Sequence, residues 1–183
     1  MRQGQGHYQI SLMNVFRRAA ESRDATATGM SDAEGERLLS QRSVERREGA
    51  SQATLRDHLA HDLANLLSTI HLAATLDLEG FDRVRRSVLN YGVQDMHRLG
   101  TSDIQNKRVL SDLRDMLIAH EPRLIPGSVE IRLRRASEDA QQRIAFDIKA
   151  EMAAHPVDVP LQFVAEVDTG AGKISMSDLK VQG

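Results

Sequence analysis

Cysteine is absent from this chain of 183 residues, which excludes disulfides, thiolate metal ligands and a thiol nucleophile. A chain without cysteine fits a reducing compartment, so the cytoplasm is the expected location. A continuous apolar run is also missing at the start, where residues 2–7 read Arg-Gln-Gly-Gln-Gly-His. The sequence therefore predicts neither a signal peptide nor direct insertion into a membrane.

Aromatic residues and an excess of charge of either sign are scarce as well. Aromatic side chains make up 3% of the chain, and 24 Lys and Arg face 26 Asp and Glu, for a formal net charge of -2. Proteins that bind nucleic acids use a basic field and aromatic side chains on which bases stack. We therefore predict no nucleic-acid partner. The length suits one folded domain with an extension.

An amphipathic helix is predicted between Ser11 and Glu21. Its apolar side chains recur at i, i+3, i+4 and i+7, and they are Leu12, Val15, Phe16 and Ala19. The residues that follow are rich in Ser, Thr, Gly, Arg and Glu, and such a composition cannot bury enough apolar surface to offset its ordering entropy. We divide the chain into a docking helix (1–21), a flexible linker (22–50) and an α+β domain (51–183). A terminus that packs loosely is the alternative for the helix.

Helical patterns fill the first half of the body. One long helix is predicted to begin after Ser51, an N-cap residue, and to bury Leu55, Leu59, Leu63, Leu66, Leu67 and Ile70. A short helix is predicted over residues 82–89, before a turn in which Gly92 can take positive φ. A third helix, capped by Thr101-Ser102-Asp103, buries Val109, Leu110, Leu113, Met116 and Leu117. Pro122 ends it, because proline removes a backbone donor and restricts the preceding residue.

Beyond Gly127 the apolar period changes from 3.6 to 2. Three strands are predicted by the alternating apolar residues Val129, Ile131 and Leu133, then Ile144, Phe146 and Ile148, then Val159, Leu161, Phe163, Ala165 and Val167. Residues 168–172 form a turn into a short last strand around Ile174 and Met176. Strands with one wet face are typical of an antiparallel sheet. The predicted fold class is α+β, with N-terminal helices packed on one face of a three- to four-stranded antiparallel meander.

Motifs for catalysis, metal binding or a cofactor are not found. The sequence has no paired carboxylates in a cleft pattern and no nucleophile elbow. His58 and His61 are spaced i, i+3 without a third ligand, and we interpret them as surface residues on a charged helix face. The string from Gly170 to Lys173 lacks the spacing, the hydroxyl residue and the helix of a phosphate-binding loop. No enzyme activity and no cofactor are therefore predicted.

The junction at Glu121-Pro122-Arg123 carries the most information. It places an acid and a base on either side of a proline, between the last helix and the first strand. The two charged side chains could pair with each other, with a neighbouring helix or with a partner protein. The last strand in addition leaves a sheet edge, to which another chain could add a strand.

Three strings in this order and spacing resemble a known family. They are Ser87-Val88-Leu89-Asn90-Tyr91-Gly92, then Glu121 to Val129 (Glu-Pro-Arg-Leu-Ile-Pro-Gly-Ser-Val), then the alternating strands. Together they closely resemble the lysozyme-like baseplate wedge family, and within it the TssE group of type VI secretion baseplates. The similarity runs from about Leu55 to Val167, and more loosely through Leu12 and Phe16.

The resemblance implies a structural protein of a contractile apparatus. Its expected partners are other wedge subunits (TssF, TssG and TssK) and sheath subunits (TssB and TssC), at the cytoplasmic face of a membrane-anchored complex. The implied partner-binding residues are Leu12, Phe16, Tyr91, Gly92, Glu121, Pro122 and Arg123. On this interpretation Arg123→Ala leaves the domain folded and weakens its incorporation into the wedge. The alternatives are a wedge protein of a phage or phage-like tail, a peptidoglycan hydrolase and a small regulatory binder.

Overall fold

The computed structural model describes residues 8–21, 23, 49–96, 107–134, 143–168 and 173–181. Within these ranges, four α-helices precede four strands. The helices are α1 (Leu12–Glu21), α2 (Gln52–Ser68), α3 (Asp82–Arg85) and α4 (Lys107–His120), and the strands are β1 (Glu130–Arg134), β2 (Arg143–Met152), β3 (Val159–Asp168) and β4 (Lys173–Val181). The chain divides into two compact units, Met1–Leu59 with Ala154–Pro156, and Ala60–Ala153 with Val157–Gly183. The described residues include no helix with the length and apolarity needed to cross a membrane.

The first unit contains α1, which forms where the sequence predicts it. Backbone hydrogen bonds of 2.9 and 2.8 Å join Tyr8 and Ala50 in both directions, and Arg18 Nη1 donates to Thr54 Oγ1 at 3.3 Å. These contacts hold α1 beside the start of α2. Within the first unit α1 therefore contacts the first turn of α2 directly. Most of the predicted linker lies outside the described residues.

The buried side of α1 differs from the predicted apolar stripe. Its buried residues are Asn14 and Val15, whereas Leu12 and Phe16 are 54% and 53% exposed. Asn14 tolerates burial because its Oδ1 accepts a hydrogen bond from Arg17. The four apolar positions do share one side of the helix, but only Val15 among them is fully covered.

Helix α2 begins and is buried largely as its sequence predicts. The Thr54 backbone N–H donates to Ser51 Oγ at 3.2 Å, which is the N-cap contact. The predicted leucines at 55, 59, 63, 66 and 67 are all buried. Two predictions are wrong: Ile70 lies beyond the helix and is half exposed, and His58 is buried rather than on the surface. His58 sits one turn after Leu55 and next to Leu59, which places it on the buried side of the helix.

Replacing Ser51 with alanine should lower the free energy of unfolding by about 1 kcal/mol, because the orphan N–H of Thr54 loses its acceptor. Urea unfolding followed by circular dichroism measures this change. Ser51→Asp restores a capping oxygen and should recover most of the loss. Equal stabilities of the alanine and aspartate variants would contradict the capping role.

The segment between α2 and α4 consists of short helical turns joined by hydrogen bonds. The predicted helix at 82–89 is only partly present, since α3 ends at Arg85 and a 3₁₀ turn covers Val88–Asn90. Gly92 has the predicted positive φ, at +120°. At this point the chain runs against the end of α2, where Val93 N donates to Thr69 O at 2.8 Å and His71 N donates to Val93 O at 2.9 Å.

Helix α4 ends at His120, as the proline at 122 predicts. It buries Val109, Leu113 and Leu117 and contacts β1. The proposed caps at 101–103 lie outside the described residues.

The sheet is an antiparallel meander of order β1-β2-β3-β4, which confirms the α+β fold class. The predicted inward residues of β2 and β3 are buried, among them Ile148 and Phe163, whereas Ile131 and Leu133 on β1 are only partly buried. The predicted short last strand is wrong, because β4 has nine residues and pairs as far as Val181 with Leu161. A register irregularity between Gln162 and Val164 explains the error, since an extra residue on β4 shifts the alternation beyond Ser177. The predicted turn lies outside the described residues except for Asp168.

Candidate functional site

Three charged side chains meet where α4 ends. The Arg123 guanidinium donates through Nε to Glu121 Oε1 at 2.7 Å and through Nη2 to Glu121 Oε2 at 2.5 Å. Nη2 also donates to Asp62 Oδ2, on α2, at 2.7 Å. We call Asp62, Glu121 and Arg123 the corner cluster. The sequence left open whether these charged residues pair with each other or with a neighbouring helix. Both occur, since Arg123 pairs with Glu121 and with Asp62 on α2.

The three charged side chains of the corner cluster differ in how far they are exposed to water. Glu121 is only 4% exposed, whereas the side chains of Arg123 and Asp62 are each 25% exposed. The Glu121 carboxylate is thus nearly removed from water and depends on its partners. Burial by itself would lower the pKa of Arg123, but the hydrogen bonds and charges of Glu121 and Asp62 outweigh it and raise that pKa. Arg123 is therefore held as a cation.

The backbone fixes the corner cluster to the sheet. Arg123 N donates to Glu121 Oε1 at 3.2 Å, which closes a tight turn over Pro122. Ala153 N donates to Arg123 O at 2.7 Å, and Ile125 N donates to Glu151 O at 2.9 Å, so the chain after the proline pairs with the end of β2. Proline prevents α4 from continuing and keeps the following residues extended. Pro122 itself is exposed.

Tyr91 lies beside the corner cluster. Its hydroxyl donates to the Asp62 backbone carbonyl at 3.4 Å, and its ring packs edge-on against His120 with centroids 5.4 Å apart. The structure thus brings Tyr91 together with Glu121, Pro122 and Arg123. Gly92 is buried, and its part in partner binding stays a prediction from the sequence. Leu12 and Phe16 are exposed on α1, in the first compact unit.

Burial lowers the pKa of His120, and the nearby charge of His71 lowers it further, against an opposing hydrogen bond with the Asn90 backbone. The neutral form is therefore favoured in the folded state. As the pH falls through the ordinary histidine value of about 6.5, the unfolded chain takes up a proton that the folded chain does not. Stability from this group is complete above that pH and is lost below it.

We expect His120→Gln to flatten the fall in unfolding free energy between about pH 7.5 and pH 5.5, because glutamine does not titrate. Urea unfolding at a series of pH values measures the slope. His61→Gln, at an exposed position on α2, is the matched control for the loss of an imidazole. An identical slope in the wild type and in His120→Gln would refute the assignment.

Metal binding has no support within the described ranges, where no group of three His, Cys, Asp or Glu side chains is placed to hold an ion. The structure does contain a pocket of about 160 Å³ between α4 and the residues after Gly92. Its lining is mainly apolar, with polar groups from His71, Gln94 and Asp112.

Comparison with models of known protein families shows to which family the chain belongs. The model of the family described as baseplate wedge protein gp25 matches residues 53–157, more than half of the chain. The chain belongs to the baseplate wedge protein gp25 family. Neither a search of curated proteins nor a search of solved structures gave a match.

Membership in the gp25 family confirms the resemblance described above. It supports a structural role in a baseplate and association with other baseplate components. The match spans the corner cluster and Tyr91, but it excludes α1, β3 and β4. Partner contacts at Leu12 and Phe16 therefore remain predictions from the sequence, as do those at the corner.

Proposed function

We propose that this gp25-family chain is the TssE-type subunit of a type VI secretion baseplate. In this role it links the wedge complex to the contractile sheath and helps to initiate sheath polymerisation, without catalysing a reaction. It works in the cytoplasm, at the cytoplasmic face of the membrane-anchored apparatus. The observation that carries the proposal is the corner cluster, in which Glu121 and Arg123 come from the Glu121-Pro122-Arg123 string that resembles the family's Glu-Pro-Arg motif.

The corner cluster supports wedge binding because its ion pairs hold the Arg123 guanidinium in place and leave one of its N–H groups available to a partner. The side-chain hydrogen bonds of Arg123 use Nε and Nη2, and within the described part of the chain Nη1 has no acceptor. With its other donors already paired, the guanidinium has little orientational freedom to lose on binding. Nη1 can then donate to a carbonyl or carboxylate of the wedge neighbours TssF, TssG or TssK beside the exposed Pro122.

Arg123→Lys tests the wedge contact, because lysine keeps the positive charge and loses the planar fork. Tagged protein is co-expressed with the candidate wedge and sheath genes, and the recovered subunits are quantified. We expect roughly tenfold lower recovery of wedge subunits with Arg123→Lys. Arg56→Lys, at an exposed arginine paired with Asp57, is the matched control and should behave as the wild type. Equal recovery with both variants would remove the corner from the proposal.

The β4 edge supports sheath binding. Its first five residues, Lys173–Ser177, pair regularly with β3 before the register irregularity, and no strand among the described residues pairs with their outer side. Such an edge accepts an added strand. In the proposed role the added strand comes from the sheath subunits TssB or TssC, and the first addition sets the position of the next.

The absence of cysteine makes the edge directly testable. A single cysteine at Ser175 on β4 or at Arg132 on β1 gives a unique thiol at an exposed position of each edge strand. We expect a thiol cross-linker at position 175 to capture a co-expressed sheath subunit, with less capture at 132. Capture at 132 alone would assign the sheath to β1, and capture at neither site would exclude strand addition.

A wedge protein of a phage or phage-like contractile tail is the second candidate. It is favoured by the family description, which names a baseplate wedge without naming the apparatus. Neighbouring genes for membrane-complex proteins and an unfolding ATPase would support secretion. Head and capsid genes would support the phage tail.

A further inference from the structure

A second surface on the molecule lies in the segment from Phe81 to Asn90. Three large apolar side chains are exposed there: Phe81 by 61%, Val88 by 81% and Leu89 by 67%. Single exposed apolar residues are ordinary, but three within nine residues form a concentration that usually marks an interaction site. None of them belongs to the corner cluster.

The exposed conformation of this segment is held in place by polar side chains. Ser87 Oγ accepts a hydrogen bond from Leu89 N at 3.2 Å. Asn90 joins two neighbouring stretches, since its Nδ2 donates to Arg85 O at 3.0 Å and its Oδ1 accepts from Ala73 N at 2.9 Å. The backbone is therefore organised before any partner arrives. A surface built in this way loses little conformational entropy on binding.

Charge indicates what kind of partner fits. Arg83, Arg85 and Arg86 are all exposed within the same segment, and none forms an ion pair with another described residue. Arg85 makes one long hydrogen bond, 3.4 Å, to the Leu78 carbonyl. Cationic groups beside exposed apolar side chains are complementary to a surface that mixes carboxylates with apolar residues.

We propose that Phe81, Val88 and Leu89, together with Arg83 and Arg86, form a docking surface for an acidic amphipathic segment of a partner protein. The apolar side chains of that segment cover the three exposed residues, and its carboxylates pair with the two arginines. An anionic membrane fits less well, because a membrane surface meets the whole stretch 77–86, in which Asp77, Glu79 and Asp82 balance the three arginines, whereas a peptide segment can contact Arg83 and Arg86 alone. This docking surface is separate from the corner cluster and from the β4 edge, and the proposal does not depend on Arg123.

Two synthetic amphipathic peptides provide the first test. They share one apolar helical face, and the polar face carries Glu in one and Lys in the other. Fluorescence anisotropy with the full chain should show the acidic peptide binding about tenfold more tightly. Arg83→Glu with Arg86→Glu should abolish the difference, whereas the control Arg56→Glu should not. The difference should also shrink in about 1 M salt, where the Debye length is about 3 Å.

Equal binding of the two peptides, or an unchanged difference in the Arg83→Glu/Arg86→Glu variant, would overturn the proposal. So would tight binding to anionic lipid vesicles without binding to the acidic peptide, or a dimer of the chain that Val88→Glu dissolves. These readouts use no baseplate subunit, so they remain decisive whether or not wedge subunits are recovered.

A photo-cross-linker at Val88 then locates the natural partner among the co-expressed wedge and sheath subunits. The same group at Ser111, exposed on α4, is the control. A mapped segment that carries Asp or Glu beside apolar residues would support the proposal. A mapped segment without carboxylates, or a baseplate complex that contains the chain but gives no cross-link at 88, would contradict it.

Discussion

Arg123→Met is expected to lower the free energy of unfolding by about 3 kcal/mol. The substitution removes the cation from Glu121, which is almost fully buried, and leaves that carboxylate beside the second acid, Asp62. Removing one partner of a buried ion pair typically costs about 3–5 kcal/mol, and the partial exposure of Arg123 places this case at the lower end. Urea unfolding of the purified variant measures the loss.

A double substitution separates the loss of the ion pair between Glu121 and Arg123 from the loss of the packing of the Arg123 side chain. In Glu121→Gln/Arg123→Met the uncompensated buried charge is gone, while the glutamine oxygen can still accept from the Arg123 backbone N–H position. We expect this variant to be more stable than Arg123→Met by at least about 1 kcal/mol. A double variant no more stable than the single one would show that the ion pair is not what holds the corner.

This expectation revises the one drawn from the sequence, that Arg123→Ala leaves the domain folded and affects only assembly. Because Arg123 neutralises a buried acid, truncating it should lower stability whether or not Arg123 contacts a partner. An assembly defect in that variant would therefore not identify a partner contact. Arg123→Lys, which keeps the charge, is the better probe of the wedge.

Gly92→Ala should cost about 3 kcal/mol of stability. The backbone at this position has φ +120°, and a Cβ added here would lie 2.3 Å from the Thr69 carbonyl oxygen and 3.0 Å from His71 N. The neighbouring atoms are backbone, so they cannot move aside without breaking the hydrogen bonds between Val93, Thr69 and His71. Thermal and urea unfolding both report the effect.

Gly80→Ala is the matched control for Gly92→Ala. Gly80 also has positive φ, +79°, but an added Cβ would meet nothing within 4 Å. Only the conformational cost of about 1 kcal/mol is expected there. If Gly92→Ala were as stable as Gly80→Ala yet failed to assemble, Gly92 would be a partner contact rather than a packing requirement.

Much of the fold follows from local periodicity. The alternation in β2 and β3 predicts which residues are buried, and the proline at 122 predicts the end of α4, because both depend on neighbours along the chain. The length of β4 does not follow, since one extra residue moves Leu179 and Val181 out of phase with Ile174 and Met176. Because a bulge interrupts the apolar alternation, a prediction based on alternation places the end of the strand at the bulge.

The candidate site was predictable in part for the same reason. Glu121 and Arg123 stand two residues apart around a proline, so their pairing is a local property. Asp62 was missed because it is 61 residues away from Arg123, and one acid on the polar side of a helix carries no sign of a distant partner. The burial of His58 did leave a signal, its spacing of three residues from Leu55.

The attachment of Arg123 has a mechanical consequence. A pull applied at Pro122 is carried by the chain into α4, by the guanidinium to α2, and by the Arg123 carbonyl to the end of β2. These three attachments act in parallel, so each carries part of the applied force. Attachments in series would each carry the whole force and would break one after another. The corner should therefore give way as a unit, at a higher force than any single bond in it could withstand.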